Sequence, residues 1–143
     1  MTIRPPEPDD VPGIHAITAA NGLPAAWRWP EGKHGLVVEG LGRVLAFCVL
    51  YESVYGLVID ELWEEPSRPG YMALAKLSHY LEEVAQRLAN ERGAALAMGG
   101  VIRLDKERHI NALRRRGYSE VATVMERAFL PQGQARAIGE GDV

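Results

Sequence analysis

The sequence has 143 residues, a length typical of one domain. Hydrophobic residues form 47% of it and charged residues 24%, a balance that excludes intrinsic disorder, a collagen-like repeat and a disulfide scaffold. The formal net charge of −3 argues against a nucleic-acid binder held by bulk positive charge, and no segment approaches the roughly 18 consecutive apolar residues of a membrane-spanning helix. The polar, proline-rich N-terminus and the single cysteine predict a cytoplasmic protein.

The first 33 residues predict a short strand, a helix and a loop. The strand covers residues 2–4 and is stopped by two prolines. The helix that follows is expected to be capped by Asp9 or Asp10, since aspartate is a preferred N-cap residue. Residues 21–33 contain glycine, proline and two tryptophans, a composition typical of a loop.

Three β-like runs come next, over residues 35–39, 43–54 and 57–64. The middle run is long, apolar and rich in β-branched and aromatic residues, which favour strands. Glycines separate the runs, and the connections are short. Short connections of this kind predict an antiparallel meander of three strands.

The strongest local pattern follows Pro66, where apolar residues recur at helical spacing. They fall on one side of a helix of about five turns, and they are Leu74, Leu77, Leu81, Val84 and Leu88. Polar side chains occupy the opposite side, and Gly93 is placed to end the helix as a C-cap. The pattern therefore predicts an amphipathic helix packed on a sheet.

The remainder predicts a buried strand over residues 94–102, a helix over 105–116, and one or two strands over 118–130. Asp105 is expected to cap that helix. A strand, the long helix and another strand in succession imply a locally parallel pair of strands. Residues 131–143 are typical of a frayed tail.

This order of elements, together with four stretches of sequence, resembles the GNAT N-acetyltransferases over residues 2–130. The stretches are IRPPEPDDVPGI, GLVVEGLGRVLAFCVL, the segment from IDELWEEP to LANERG, and NALRRRGYSEV. The resemblance implies an α+β GNAT fold with a mixed central sheet of six to seven strands and about four helices. It also implies a single domain over residues 1–130, followed by a tail over 131–143.

The family binds the pyrophosphate of acetyl-CoA at a Gln/Arg-x-x-Gly-x-Gly/Ala loop that begins the long helix. The corresponding residues here are Arg68, Pro69, Gly70, Tyr71, Met72 and Ala73. Arg68 and Ala73 match the motif, whereas Tyr71 stands where glycine is usual, as in a divergent member with a degenerate loop. The resemblance further implies that the pantetheine arm pairs with the strand just before this loop, at Leu62, Trp63 and Glu64.

Family members often use a glutamate of the fourth strand as the base that deprotonates the amine. Glu61 corresponds to it, and strand alternation is expected to point Asp60 the other way. The competing interpretation is that Glu61 is a solvated residue of a half-exposed strand. The usual tyrosine, which protonates the departing thiolate, corresponds to Leu113. The alternative function is therefore a catalytically inactive GNAT-fold binding or structural module, similar to compact chains that phages encode.

The expected partners are acetyl-CoA as cosubstrate and an amine acceptor, with no metal, nucleic acid or membrane. The four histidines lack metal-ligand spacing. Trp27 and Trp29 either line an acceptor pocket or seal the edge of the core. Cys48, between apolar neighbours, is interpreted as a small buried hydrophobe. Dimers are common in the family, and the sequence leaves the oligomeric state and the acceptor open.

Overall fold

The structure is a computed structural model that describes residues 1–54 and 56–131. It contains two compact units, one of residues 1–101 and one from residue 102 onward. Within the described ranges there are five β-strands and three α-helices, fewer than the expected six to seven strands and about four helices.

The first unit contains a mixed sheet whose spatial order equals the chain order. Its strands are β1 (Thr2–Arg4), β2 (His34–Gly40), β3 (Arg43–Ser53), β4 (Gly56–Glu64) and β5 (Met98–Gly100). Neighbouring strands are antiparallel except for β4 and β5, which are parallel. The predicted three-stranded meander and the predicted parallel pair are both confirmed.

Two helices of this unit cover opposite faces of the sheet. They are α1 (Val11–Ala20) and α2 (Arg68–Arg92). Successive side chains of β3 point to opposite faces of the sheet. Cys48 packs with residues of α2, while its neighbours Phe47 and Val49 pack with residues of α1. Because β3 is buried on both faces, its sequence is a continuous apolar run rather than an alternation of apolar and polar residues.

Each face has its own core, here called the α2-facing core and the α1-facing core. The buried members of the α2-facing core are Val38, Leu45, Ala46, Cys48, Ala73, Leu77 and Leu81. The buried members of the α1-facing core are Ile14, Ile17, Val37, Val44, Phe47 and Val49, and Trp27, Trp29 and Trp63 pack against them. The first core is aliphatic apart from one thiol, whereas the second is rich in aromatic rings.

Helix α2 confirms the predicted apolar face and the glycine stop, but its 25 residues form about seven turns rather than the predicted five. Leu77 and Leu81 are buried, while the other three apolar positions of the predicted face are half-buried. Ser67 caps the start of the helix, and Gly93 ends it in the left-handed conformation with φ of 63°. A residue without a Cβ adopts this conformation at no steric cost, which is why glycine serves as the stop signal.

Asp10 occupies the N-cap position of α1, as predicted, but its side chain makes no capping hydrogen bond to the helix. A single 3-10 turn (Pro8–Asp10) precedes the helix, and the Asp10 carboxylate accepts the backbone N–H of Glu7 at 2.7 Å. The same carboxylate accepts two bonds from the Arg4 guanidinium, at 2.7 and 2.9 Å. These bonds hold the pKa of Asp10 below its ordinary value, chiefly through Arg4. The Asp10 side chain therefore links Arg4 of β1 to the turn before α1, and it does not accept a hydrogen bond from the first turn of the helix.

The second unit contains α3 (Glu107–Arg115). Lys106 occupies its N-cap position, and the Asp105 carboxylate accepts a bond from Arg103 at 3.1 Å, so the predicted Asp105 cap is wrong. Gly117 has a positive φ of 93° just beyond the helix, as expected for a stop signal.

The strands predicted over residues 118–130 are absent from the described part of the chain. Strand residues need a hydrogen-bonding partner and a surface that buries one face. The apolar side chains Val121, Met125 and Phe129 are instead exposed. The strand predicted over 94–102 is likewise shortened, to β5. The predicted boundary at residue 130 stays a prediction, since residues 132–143 of the expected tail lie outside the described residues.

Candidate functional site

Strand β4 extends well past the strand that pairs with it in parallel. The pairing with β5 runs from Leu57 opposite Met98 to Ile59 opposite Gly100, and β4 continues to Glu64. Residues 61–64 therefore pair with β3 but not with β5, and Asp60 pairs with neither strand. The resemblance to GNAT sequences predicts both the base and the cofactor-binding backbone at this end of β4.

A β-bulge interrupts β4 at the same point. Glu61 lies opposite Val49 and Ile59 lies opposite Leu50, which leaves Asp60 without a partner on β3. As a result Ile59 packs against the α2-facing core, whereas Glu61 contacts rings on the α1 side. Regular alternation would have put Ile59 and Glu61 on the same face, so the expectation of simple alternation through Asp60 is wrong here.

Glu61 is half-buried and hydrogen-bonded to two tryptophans. The Trp63 indole Nε1–H donates to Oε2, and the Trp27 indole Nε1–H donates to Oε1 at 3.4 Å. Trp63 is two residues further along the strand, so both side chains stand on one face. Trp27 comes from the loop after α1. Glu61 is therefore a half-buried carboxylate held by two indoles, and its role as a base stays a prediction.

The loop rings also border a cavity of about 420 Å³. Its lining residues are Val11, Ile14, His15, Trp27, Arg28 and Trp29. The Trp27 and Trp29 rings pack on Phe47, and their centroids lie 5.6 and 6.1 Å, respectively, from the Phe47 centroid. The His15 ring contacts Trp27 edge-on, with a centroid distance of 6.3 Å. The two tryptophans therefore pack against the α1-facing core, as one of the two alternatives predicts. They also line a cavity, and its use as an acceptor pocket stays a prediction.

Trp29 fits across β2 only because a glycine lies beneath it. A Cβ on Gly35 would lie 2.1 Å from the Trp29 ring, far inside van der Waals contact. The Trp29 indole donates to the Lys33 carbonyl at 3.3 Å, and the Lys33 ammonium lies 3.3 Å from the Tyr51 ring centroid. These contacts hold the loop against the sheet beside the cavity.

The start of α2 follows β4 after a turn of three residues, and its polar groups are already engaged. The Ser67 hydroxyl accepts the Gly70 backbone N–H at 3.1 Å and donates to Glu65 at 2.5 Å. Two hydrogen bonds from Arg43, at 2.7 and 3.0 Å, hold the pKa of Glu65 down at about 2, and the Ser67 bond adds to this. A carboxylate neutralised by an arginine therefore lies beside the helix start.

No model of a protein family matches the sequence, and a search of curated proteins gives no match. Solved structures match over most of the chain. A ribosomal-protein-S18-alanine N-acetyltransferase from Escherichia coli has a TM-score of 0.61 at 19% identity, covering 85% of this chain and 79% of its own. An aminoglycoside N-acetyltransferase AAC(6')-Iy in complex with CoA has a TM-score of 0.59 at 11% identity, covering 91% and 100%. The chain has the GNAT fold.

A third similar structure carries a different description. It is a transcriptional regulator from Bacillus halodurans C-125, with a TM-score of 0.65 at 14% identity, covering 90% of this chain and 99% of its own. Structures similar to this fold thus include proteins described by different activities, so the fold alone does not specify the function.

The six loop residues expected to bind acetyl-CoA are not equivalent in the structure. Gly70 is buried, and a Cβ at this position would lie 1.8 Å from the Glu65 carbonyl oxygen. Ala73 belongs to the α2-facing core. These two residues let the GNAT loop and helix pack tightly. Their smallness therefore has a structural reason that the motif comparison alone did not reveal.

The other loop residues face outward. Tyr71 and Met72 are each 57% exposed, so the Tyr71 side chain stands in solvent. Arg68 is exposed, and together with Pro69 and Met72 it lines a second cavity of about 320 Å³ beside the β2–β3 turn. Because Pro69 has no N–H and that of Gly70 is bonded to Ser67, this helix start offers fewer backbone donors than the GNAT motif implies.

The strand residues expected to meet pantetheine have separate side-chain roles. Leu62 packs against the α2-facing core and Trp63 against the α1-facing core. The Glu64 carbonyl accepts the Asn21 side-chain amide at 2.8 Å, and the same amide donates to Ile17 at 2.9 Å. Asn21 thus fastens the end of α1 to the end of β4, a contact that no sequence pattern indicated.

The remaining sequence expectations concern Leu113, Cys48, metal binding and membrane spans. Leu113 is half-buried on α3, in the second unit. Cys48 is fully buried, and burial raises the pKa of its thiol to about 12, which confirms its interpretation as a small hydrophobe. Across the described ranges no cluster of three metal-ligating side chains occurs, and no helix there has the length and apolar character needed to cross a bilayer.

Proposed function

We propose that this chain is an acetyl-CoA-dependent N-acetyltransferase whose acceptor is a small amine with an apolar or aromatic body. The observation that supports it most is the bulged end of β4, where the Glu61 carboxylate accepts hydrogen bonds from two indoles, one of which, Trp27, lines a cavity. The N-acetyltransferases among the structural neighbours support the same reaction class.

The reaction needs an amine nitrogen that attacks the carbonyl carbon of the thioester. A C–N bond forms, the C–S bond breaks, and CoA leaves as a thiolate. An alkyl ammonium must first lose a proton, and Glu61 accepts it either directly or through one water molecule. Leu113 has no proton to donate, so the thiolate takes its proton from solvent, as a thiol with an ordinary pKa of about 8.5 does near neutral pH.

The cosubstrate is assigned to the end of β4 and the start of α2. The backbone of residues 62–64 continues beyond β5 and is the proposed partner of the pantetheine amides. Arg68, exposed at the start of α2, supplies positive charge for the phosphates. The Gly70 N–H donates to the Ser67 hydroxyl in this structure. For this N–H to donate to a phosphate oxygen instead, the Ser67 hydroxyl has to rotate away.

The acceptor class is inferred from the cavity next to Trp27. Its walls are aliphatic and aromatic, with His15 and Arg28 as the polar contributors. An acceptor with an apolar or aromatic body fits such walls, while its amino group points to Glu61. A polyhydroxylated acceptor would leave many of its hydroxyl groups without partners, which costs binding free energy.

Calorimetry with acetyl-CoA and CoA, followed by thiol-release assays with a panel of amines, tests the proposal. The panel contains arylalkyl amines, short alkyl amines, an aminoglycoside and a peptide with N-terminal alanine. We expect binding of both nucleotides and the fastest transfer to the arylalkyl amines. No binding at millimolar nucleotide would overturn the proposal, and binding without transfer to any amine would support the inactive-module alternative.

Substitution of Glu61 tests its assigned role. We expect Glu61→Gln to lower kcat by roughly 10²–10⁴-fold, the usual contribution of a general base, with nucleotide affinity unchanged. Asp60→Asn is the matched control, because Asp60 is the exposed neighbouring carboxylate at the bulge. Equal effects of the two substitutions would show that charge at the strand end matters, rather than a base at position 61.

A further inference from the structure

We propose that Trp63 and Trp27 are positioning residues that fix the carboxylate of Glu61 through their indole N–H groups. The catalytic consequence rests on the role proposed above for Glu61, whereas the hydrogen bonds themselves do not. The two indoles form what is called here the indole clamp, consisting of Trp27, Glu61 and Trp63.

The clamp engages both oxygens of one carboxylate. Trp63 donates to Oε2 from the same strand face, and Trp27 donates to Oε1 from the loop after α1. A glutamate side chain is long and flexible, and two donors from different elements restrict it to one orientation. Indole is a donor only, so it can hold a carboxylate but cannot take a proton from the substrate amine.

The two donors are not expected to contribute equally. The bond from Trp27 is 3.4 Å long, beyond the common range for N–H···O contacts, and it comes from a loop. Trp63 belongs to β4, and the bulge at Asp60 orients Glu61 and Trp63 toward the α1-facing core. Trp63 is therefore the stronger positioning residue and Trp27 the weaker one.

The third tryptophan supplies a matched internal control. Trp29 lies in the same loop as Trp27 and packs on the same Phe47 ring, but its indole donates to the Lys33 carbonyl. The chain contains three tryptophans, so every indole N–H has an assigned acceptor, two on Glu61 and one elsewhere. A change at Glu61 should affect two indoles and spare the third.

Nuclear magnetic resonance of the ¹⁵N-labelled full chain tests the clamp without any substrate. Single Trp→Phe variants assign the three indole cross peaks. We expect Glu61→Gln to move the Trp63 peak most and the Trp27 peak less, both toward weaker hydrogen bonding, while the Trp29 peak stays in place. An unmoved Trp63 peak, or equal movement of all three peaks, would overturn the proposal. Glu61→Asp serves as a second variant, because it withdraws the carboxylate while keeping the charge.

Kinetics then tests whether the clamp acts through Glu61. We expect Trp63→Phe to lower kcat by about tenfold with the KM for acetyl-CoA unchanged, as for a misplaced catalytic group, and Trp27→Phe to lower it less. In a Glu61→Gln background, Trp63→Phe should cause almost no further loss. A loss that is the same in both backgrounds would contradict positioning, since a purely structural defect is independent of Glu61. Trp29→Phe is the control for dependence on Glu61: its indole donates to the Lys33 carbonyl, so any loss that it causes should be the same in both backgrounds.

The two experiments separate the clamp from the proposed activity. If the peaks move as expected but Glu61→Gln transfers acetyl groups normally, the clamp is real and Glu61 is not the base. If the peaks do not move, the clamp is wrong whatever the activity.

Discussion

The two faces of the sheet are covered in different ways, one by a long regular helix and the other by a short helix with an aromatic loop. The α2-facing core consists of small and branched aliphatic side chains together with Cys48, and it lies under a regular helix of 25 residues. The α1-facing core lies under a helix of 10 residues and an irregular loop, and it is completed by aromatic rings.

The difference follows from the shapes that cover each face. Aliphatic side chains on a regular helix interdigitate with a strand surface and leave little space. The indole rings of the loop are rigid and planar and do not fill the space next to α1, where a cavity of about 420 Å³ remains. The hydrogen-bonded carboxylate of Glu61 lies on this second side. The proposed acceptor site therefore lies on the α1 side, whereas the proposed acetyl-CoA site lies at the start of α2, beside the cavity of about 320 Å³.

The largest effect on stability is expected from the α2-facing core. Leu77 is fully buried, so Leu77→Ala should lower the free energy of unfolding by about 2–5 kcal/mol, measured by urea denaturation. Leu74→Ala, at a half-buried position on the same helix, should cost clearly less. If Leu77→Ala also raised the KM for the acceptor selectively in the folded protein, the separation of roles between the two faces would be wrong.

A smaller effect is expected where α2 meets the turn before it. Gly70→Ala places a Cβ against the Glu65 carbonyl, and overpacking of this kind costs about 1–3 kcal/mol. Gly99→Ala is the control, because a Cβ there meets nothing within 4 Å and the backbone is not strained. Thermal or urea melts compare the two variants. Equal stability of both would mean that Gly70 is not held there for close packing.

The smallest effect is expected from acid, which acts on the Arg–carboxylate pairs before the two helices. Asp10 and Glu65 have lowered pKa values in the folded protein, through Arg4 and Arg43 respectively, with Glu65 at about 2 against an ordinary 4.5. Their stabilisation is present above about pH 4.5 and is lost as the pH falls toward 2.

Urea denaturation across this pH range measures the loss. Asp10→Asn should reduce the acid sensitivity more than Glu65→Gln, because the Asp10 side chain is 8% exposed and that of Glu65 is 26% exposed. The opposite order would show that the more exposed pair at the start of α2 dominates.

Most of the first unit could be predicted from the sequence, because its signals are local. The leucine spacing of α2, the glycine that ends it and the glycine turn between β2 and β3 each depend on neighbouring residues alone. The strands expected over 118–130 could not be decided in this way. Their β-branched residues favour extended structure, but a strand forms only with a partner.

The site shows the same division. Glu61 and the loop residues were selected by likeness to GNAT sequences, which carries motif positions but no side-chain contacts. The bulge at Asp60 depends on how two strands align over their length. The bonds from Trp27 and Trp63, and the close packing of Gly70 on Glu65, join residues through the folded chain.

The sequence by itself determined the order of strands and helices in the first unit and the burial of the single thiol. The spacing of apolar residues and the identity of turn residues depend on a few neighbouring positions, so both can be recognised in the sequence alone. The tertiary structure decided which face Glu61 joins and which rings hold it. That choice arises because one extra residue in a strand reverses the side on which every later side chain stands.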